Sequence, residues 1–260
     1  MKKLGIVLAG VAAFAIAAPV IAGGPITINE LRIDQPGGDS SEYFELAGTP
    51  GASLNGLALI SLGDDGGDGS GDPASRSGSV EAFVDLAGQS IPADGFFLAA
   101  EASFGTGGLG LGGSVDFTAP DINFENSENH TFLLVQGFTG AVGDLLDTDR
   151  DGFVDVTPWT SILDAVSLIE NPNGAGHTPP TANETDEWDY SVDPTLNSVG
   201  VGPDGTFEPG HVFRFPNGNG GWNIGAFSGG DDTPGVANVP EPASIALLAL
   251  GAVAVIRRKR

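Results

Sequence analysis

The residues whose types and spacing carry the clearest chemical meaning lie in the run Asp147-Thr148-Asp149-Arg150-Asp151-Gly152-Phe153-Val154-Asp155. Side-chain oxygens at loop positions one, three and five, a glycine at six and a carboxylate at nine form the opening of an EF-hand-type calcium loop. Gly152 allows the sharp turn that folds alternate side chains around one hard cation. Asp147, Asp149, Asp151, the Phe153 carbonyl and Asp155 are the candidate ligands. Position twelve is Pro158 and not the bidentate glutamate of an EF-hand. The stretch therefore reads as a short acidic loop of an extracellular module, with affinity of about 10⁻⁴–10⁻³ M. A structural Ca²⁺ is the expected cofactor. Without an ion, the same residues make an acidic, solvated hairpin turn.

Other groupings are weaker. Asp64, Asp65, Asp68 and Asp72 form a second acidic cluster without fixed alternation, and Asp231-Asp232 is a bare pair. Trp188-Asp189-Tyr190 sits in a long polar insert, where Trp188 and Tyr190 would stack on a carbohydrate face if exposed together. Trp222 reads as core. Catalysis finds little support: cysteine is absent, and His130, His177 and His211 lie in separate segments without metal-ligand spacing such as HExxH. No Gly-x-Ser-x-Gly elbow occurs. Carboxylate pairs are too common in this chain to indicate glycoside hydrolysis. No catalytic residue and no enzymatic activity are expected.

These residues must be positioned by what lies between two unusual ends. The formal charge of −24 averages a still more acidic body with basic termini, Lys2-Lys3 and Arg257-Arg258-Lys259-Arg260. Only Arg32, Arg76, Arg150 and Arg214 lie between. Such a field repels phosphate backbones and anionic lipid, so nucleic-acid binding is excluded. Residues 1–22 read as a secretory signal peptide: Lys2-Lys3, the apolar run Leu4–Ile16, and Val20-Ile21-Ala22 before the cleavage point. At the other end, Val239-Pro240-Glu241-Pro242 precedes the apolar stretch 243–256 and the basic cluster, which acts as a cytoplasmic stop. By spacing alone this is also the layout of a permanent tail anchor.

Pro240-Glu241-Pro242, the short alanine- and leucine-rich helix and the terminal arginine cluster resemble the PEP-CTERM sorting signal of Gram-negative bacteria, over residues 239–260. The resemblance implies removal of the tail by an exosortase, a membrane cysteine protease, after signal peptidase has acted and after transient inner-membrane anchoring through 243–256. The prolines keep the motif extended and accessible at the membrane surface.

The chain of 260 has 41 glycines and 18 prolines, just short of the roughly 25–30% that marks low-complexity disorder, and the body is residues 23–238. Short apolar runs bounded by turn residues predict strands at 26–33, 42–46, 57–62, 82–86, 96–100, 131–137, 162–169 and 212–215. Ile26 and Ile28 share one parity and Leu31 and Ile33 the other, so a β-bulge near Asn29-Glu30 is required to bring them to one face. Inserts at 63–79, 105–121 and 171–210 interrupt these runs, the first two reading as flexible surface loops. Without disulfides, stability must come from a core, from bound cations, or from both.

The order of elements resembles the lamin-tail domain, an immunoglobulin-like β-sandwich. Ile28-Asn29-Glu30-Leu31, Glu42-Tyr43-Phe44-Glu45-Leu46, Leu54-Asn55-Gly56-Leu57, Gly95–Ala100, Ile162–Val166, Arg214, Gly221-Trp222 and Thr233–Asn238 carry the likeness. The expectation is an all-β, immunoglobulin-like sandwich with long inserts, between an N-terminal signal helix and a C-terminal transmembrane helix. Its expected role is that of an exported, structural or adhesive protein of the cell surface or extracellular matrix, of the biofilm kind. A polysaccharide- or protein-binding module and a secreted hydrolase are the alternatives.

Overall fold

The computed structural model describes residues 24–38, 40–63, 78–106, 109–120, 122, 124–126, 128–149, 151–170 and 188–238. The signal segment, the sorting segment with Pro240, Glu241, Pro242 and Arg257, Arg258, Lys259, Arg260, the Asp64–Asp72 cluster, Arg150 and His177 lie outside them. Among the described residues no helix is long and apolar enough to cross a membrane.

Eleven strands are described: β1 (Thr27–Arg32), β2 (Tyr43–Ala47), β3 (Leu57–Gly63), β4 (Ser79–Asp85), β5 (Phe96–Ala100), β6 (Phe117–Thr118), β7 (His130–Gln136), β8 (Ser161–Leu168), β9 (Gly200–Val201), β10 (His211–Phe215) and β11 (Gly221–Ile224). They form two sheets, ordered β11-β10-β1-β2-β5-β6 and β4-β3-β7-β8-β9. The chain is thus all-β, as expected, and every strand predicted from the apolar runs is present. The bulge is present too. The β1–β2 register shifts between Ile28 and Glu30, which turns Ile28, Leu31 and Ile33 into one core while Asn29 and Glu30 face polar partners.

The two sheets share a single apolar core. Ile28, Leu31, Phe44, Leu46 and Phe97 of the first pack with Leu59, Val84, Phe132, Leu134 and Val166 of the second. A polar tie crosses the same gap. Arg214 of β10 donates to both oxygens of Asp164 on β8, at 2.8 and 3.0 Å, and Asp164 also accepts from the Ile28 amide at 2.8 Å. The guanidinium lies 4.4 Å over the Trp222 ring, so its charge is held between a carboxylate and a π-face.

The second sheet is covered on its other face as well. Ala58, Ile60, Leu62, Leu133, Val135 and Ala165 pack against Leu146, Val154, Trp188, Tyr190 and Leu196. This explains why β3 reads as a continuous apolar run without alternation: all its residues are buried. The 105–121 insert, expected as a flexible loop, instead covers part of the first sheet. Leu111 and Val115 pack with Tyr43 and Leu98, and β6 pairs parallel with β5.

Candidate functional site

The acidic loop follows Leu146, whose carbonyl accepts from the amides of Asp155 and Val156 at 2.9 and 3.0 Å. This closes residues 147–155 into a tight loop with Val154 tucked into the second core. Asp147 is fully buried. Its Oδ1 accepts from the Asp151 amide at 3.2 Å, and its Oδ2 from the Gly152 amide at 2.9 Å and the Tyr190 hydroxyl at 2.9 Å. Gly152 has φ +87°, a conformation costly for any side chain, so the turn demands glycine. Asp155 folds back across the opening: one of its oxygens accepts from the Thr148 amide at 2.8 Å, the Thr148 hydroxyl at 2.5 Å and the Asp149 amide at 3.3 Å.

The expected ligands are partly assembled. Asp147, Asp149 and Asp155 each place a carboxylate oxygen within 4.8 Å of the others. Asp151 stands apart from that trio, with Oδ1 accepting from the Phe153 amide at 3.0 Å, and the Phe153 ring is exposed. Partial desolvation, then repulsion from Asp151 and Asp155, raises the Asp149 carboxyl above its ordinary value. The hydrogen bonds from Thr148 lower that of Asp155. Converging oxygens, held by backbone donors and crowded by like charge, suit a hard cation. Asp147, Asp149 and Asp155 are the residues that would hold a hard cation such as Ca²⁺, though Asp147 and Asp155 already accept several hydrogen bonds.

Trp188 and Tyr190 do not present the faces that sugar stacking requires. Their relative exposures are 2% and 1%, because both rings fill the second core instead of facing solvent. Tyr190 is tied to the acidic loop through its hydroxyl. The polar insert concealed this, since Trp188, Tyr190 and Leu196 are spaced apolar anchors in a segment that caps the sheet.

His211 belongs to a network the sequence did not announce. Its Nε2 lies 2.9 Å from Oε1 of Glu30, which also accepts from the Tyr43 hydroxyl at 2.5 Å and the Thr233 amide at 3.0 Å. Asp232 pairs with the Arg32 Nε, while the other Arg32 donors bind the carbonyls of Asp34, Ala226 and Phe227. These partners already occupy the lone pairs a metal would need. The cluster fastens the closing segment to β1 and β2. Next to it, the Gly235 amide donates to Glu45 at 2.6 Å, the Asn238 amide to Asn217 at 2.8 Å, and Asn238 Nδ2 to the Arg214 carbonyl at 2.8 Å. Asn238 is buried, so the body is pinned right up to the residue before Val239.

Residues 238–260 match the PEP-CTERM protein-sorting motif. The match begins at this anchored asparagine and takes in Pro240, Glu241, Pro242 and the terminal basic cluster. No curated protein and no solved structure matches the chain. The C-terminal motif is that of an exported protein sorted by exosortase.

Proposed function

We propose that this is a non-enzymatic structural or adhesive protein, released by exosortase to the cell surface or extracellular matrix, with an immunoglobulin-like, lamin-tail-type body stiffened by Ca²⁺. The observation that carries the reading is the junction at Asn238. A body fastened by Asn217, Arg214 and Thr233 runs without a spacer into the sorting motif. Export would begin with the signal at 1–22, and the stretch 243–256 would hold the chain in the inner membrane until the tail is removed. An acidic body repels anionic lipid once released, which favours a place away from the bilayer. Calcium would cross-brace the loop at 147–155 against Tyr190 and so rigidify the outer face of the second sheet. Fractionation of cells with and without their exosortase tests the reading. The protein should move from membrane to surface and matrix fractions only when the protease is present; equal retention in the membrane in both strains contradicts it.

A second reading, as a polysaccharide-binding module, rests on one feature. A groove of about 360 Å³ runs beside the start of β8, walled by Trp159, Ser161, Asp164, Thr195 and Asn197. Half-buried Trp159 takes the place that Trp188 and Tyr190 cannot fill. Glycan binding lost on Trp159→Ala supports this reading, and binding unchanged by it dismisses the groove.

A further inference from the structure

Residues 226–238, which follow β11 and close the body, join neither sheet. Their backbone–backbone bonds among the described residues are internal turns, from the Gly229 amide to Ala226 and from the Val236 amide to Thr233. Little apolar surface holds them. Phe227 and Val236 are exposed, while the small Ala237 packs with Ala47 and Phe96. What fastens this closing segment is the buried polar cluster beneath it. Glu30, Arg32 and Tyr43 are fully buried. Thr233 gives its amide and hydroxyl to Glu30 at 3.0 and 2.9 Å, and Gly235 gives its amide to Glu45 at 2.6 Å. A segment held by charged contacts instead of core packing can open without unfolding the rest.

His211 of β10 is fully buried among these contacts. Its Nε2 lies 2.9 Å from Oε1 of Glu30, an oxygen that already accepts from Tyr43 and Thr233, so Nε2 is the donor. Its Nδ1 faces Oδ1 of Asp231 at 3.5 Å, a charge contact and not a hydrogen bond. Asp232 stands 3.9 Å from Nε2. Gly225 leaves room for this approach, since a Cβ there would collide with Nδ1. In the neutral ring, Nδ1 would turn a lone pair towards the Asp231 carboxylate. In the imidazolium both nitrogens carry protons, and both face negative charge. Glu45 stands opposite Glu30 across the β1–β2 ladder, and Asp34 lies against Gly210. The cations among these groups are Arg32 and the protonated His211. Burial pulls the imidazole down, but Asp231, Glu30 and Asp232 together raise it above its ordinary value.

We propose that His211 is a proton-operated clasp on the closing segment. Protonated, it holds Asp231 and Asp232 of that segment to Glu30 of β1. Once the proton leaves, Glu30, Asp231 and Asp232 share the Arg32 guanidinium alone, and residues 226–238 detach from the first sheet while the two sheets stay folded. The sense follows from the surroundings: fastening is complete below the value of a free imidazole and weakens as pH rises through that of the buried one. The clasp sits on the last stretch of the body before the sorting motif, so it sets how firmly that stretch is held. It does not depend on whether the tail is cut.

The test is amide hydrogen exchange on the full-length chain in detergent, read by mass spectrometry and corrected for intrinsic rates. It runs from about pH 6 to 9, the range in which a raised imidazole titrates. Peptides covering 226–238 should lose protection by about fivefold or more over that range. Their exchange should be nearly insensitive to low urea, whereas peptides from β3 and β7 should exchange through a urea-sensitive global opening. His211→Gln keeps a donor for Glu30 but no charge, so protection at 226–238 should be low at the acid end and stay level. Equal protection and equal urea dependence in the segment and the strands would overturn the proposal. So would pH-independent protection in the unaltered protein, or a fall that persists undiminished in His211→Gln. Where that variant fails to fold, Asp231→Asn decides. Removing the charge beside Nδ1 should move the loss of protection to lower pH, and an unmoved midpoint contradicts the clasp.

Discussion

The hydroxyl of Tyr190 donates to Oδ2 of Asp147 at 2.9 Å, which ties the first residue of the acidic loop to the segment covering the second sheet. Asp147 also accepts from the amides of Asp151 and Gly152. These bonds order the loop without a cation, so less of the energy of any cation binding would be spent on ordering it. Because Tyr190 and Trp188 belong to the core beneath, the calcium affinity of the loop and the stability of the body should vary together.

Tyr190→Phe keeps the ring and removes only the donor. Leaving a buried carboxylate short of one partner costs about 1–3 kcal/mol. Chemical unfolding without Ca²⁺ should show a lower midpoint at unchanged slope, and calorimetry should show weaker Ca²⁺ binding. Unchanged values for both would uncouple the loop from the core.

Asp149→Asn separates ligand from fold. Asp149 is exposed and crowded by Asp151 and Asp155, so losing its charge should leave the metal-free midpoint unchanged or slightly higher. Calcium affinity, tuned by the number of charged ligands, should fall about tenfold or more. The readout is the thermal shift at millimolar Ca²⁺, which should appear in the unaltered protein and vanish in the variant.

Arg214→Ala removes one half of the bidentate pair between the sheets. Asp164 is then left largely buried without its charge partner, a loss of about 3–5 kcal/mol. Equilibrium urea unfolding measures it. A change below about 1 kcal/mol, the range of exposed pairs, would place Asp164–Arg214 effectively in solvent.

The metal-free body should be most stable at mildly acidic pH. Burial first, then the charge of Glu30, raises the Glu45 carboxyl well above its ordinary 4.5. Unfolded Glu45 therefore loses its proton at lower pH than the folded form, so stability falls as pH rises past 4.5. For His211, burial lowers the value, but the nearby Asp231 carboxylate, the hydrogen bond to Glu30 and the charges of Glu30 and Asp232 outweigh it and leave it above 6.5. Its contribution is complete below 6.5 and is lost as pH rises through the folded value. Asp231, lowered chiefly by the His211 imidazole beside it, acts in the opposite sense, but only near and below pH 3.8. Melting temperature should therefore decline from about pH 5.5 to 8.5, and His211→Gln should flatten the upper part of that decline.

Much of this architecture is written locally. Each long strand is an apolar run between turn residues, and the parity change from Ile28 to Leu31 fixed the bulge at Asn29. Gly152 and the alternating aspartates marked the acidic loop. Other features could not be read because they are joined across distance. β6 and β9 are two-residue pairings with no period to detect. Trp188 and Tyr190 looked like surface aromatics because nothing nearby in the chain reveals the sheet they cover. Glu30, His211 and Asp231 meet only once β1, β10 and the closing segment are in place, so no spacing motif announces them.

The central claim is that the body is delivered outside the cell by removal of the tail that follows the anchored Asn238. Intact-mass spectrometry of the endogenous protein tests it most directly. The account predicts a chain that starts near Gly23 and has lost Arg257–Arg260 together with the apolar stretch 243–256. Recovery of a mature chain that still ends at Arg260 would contradict it.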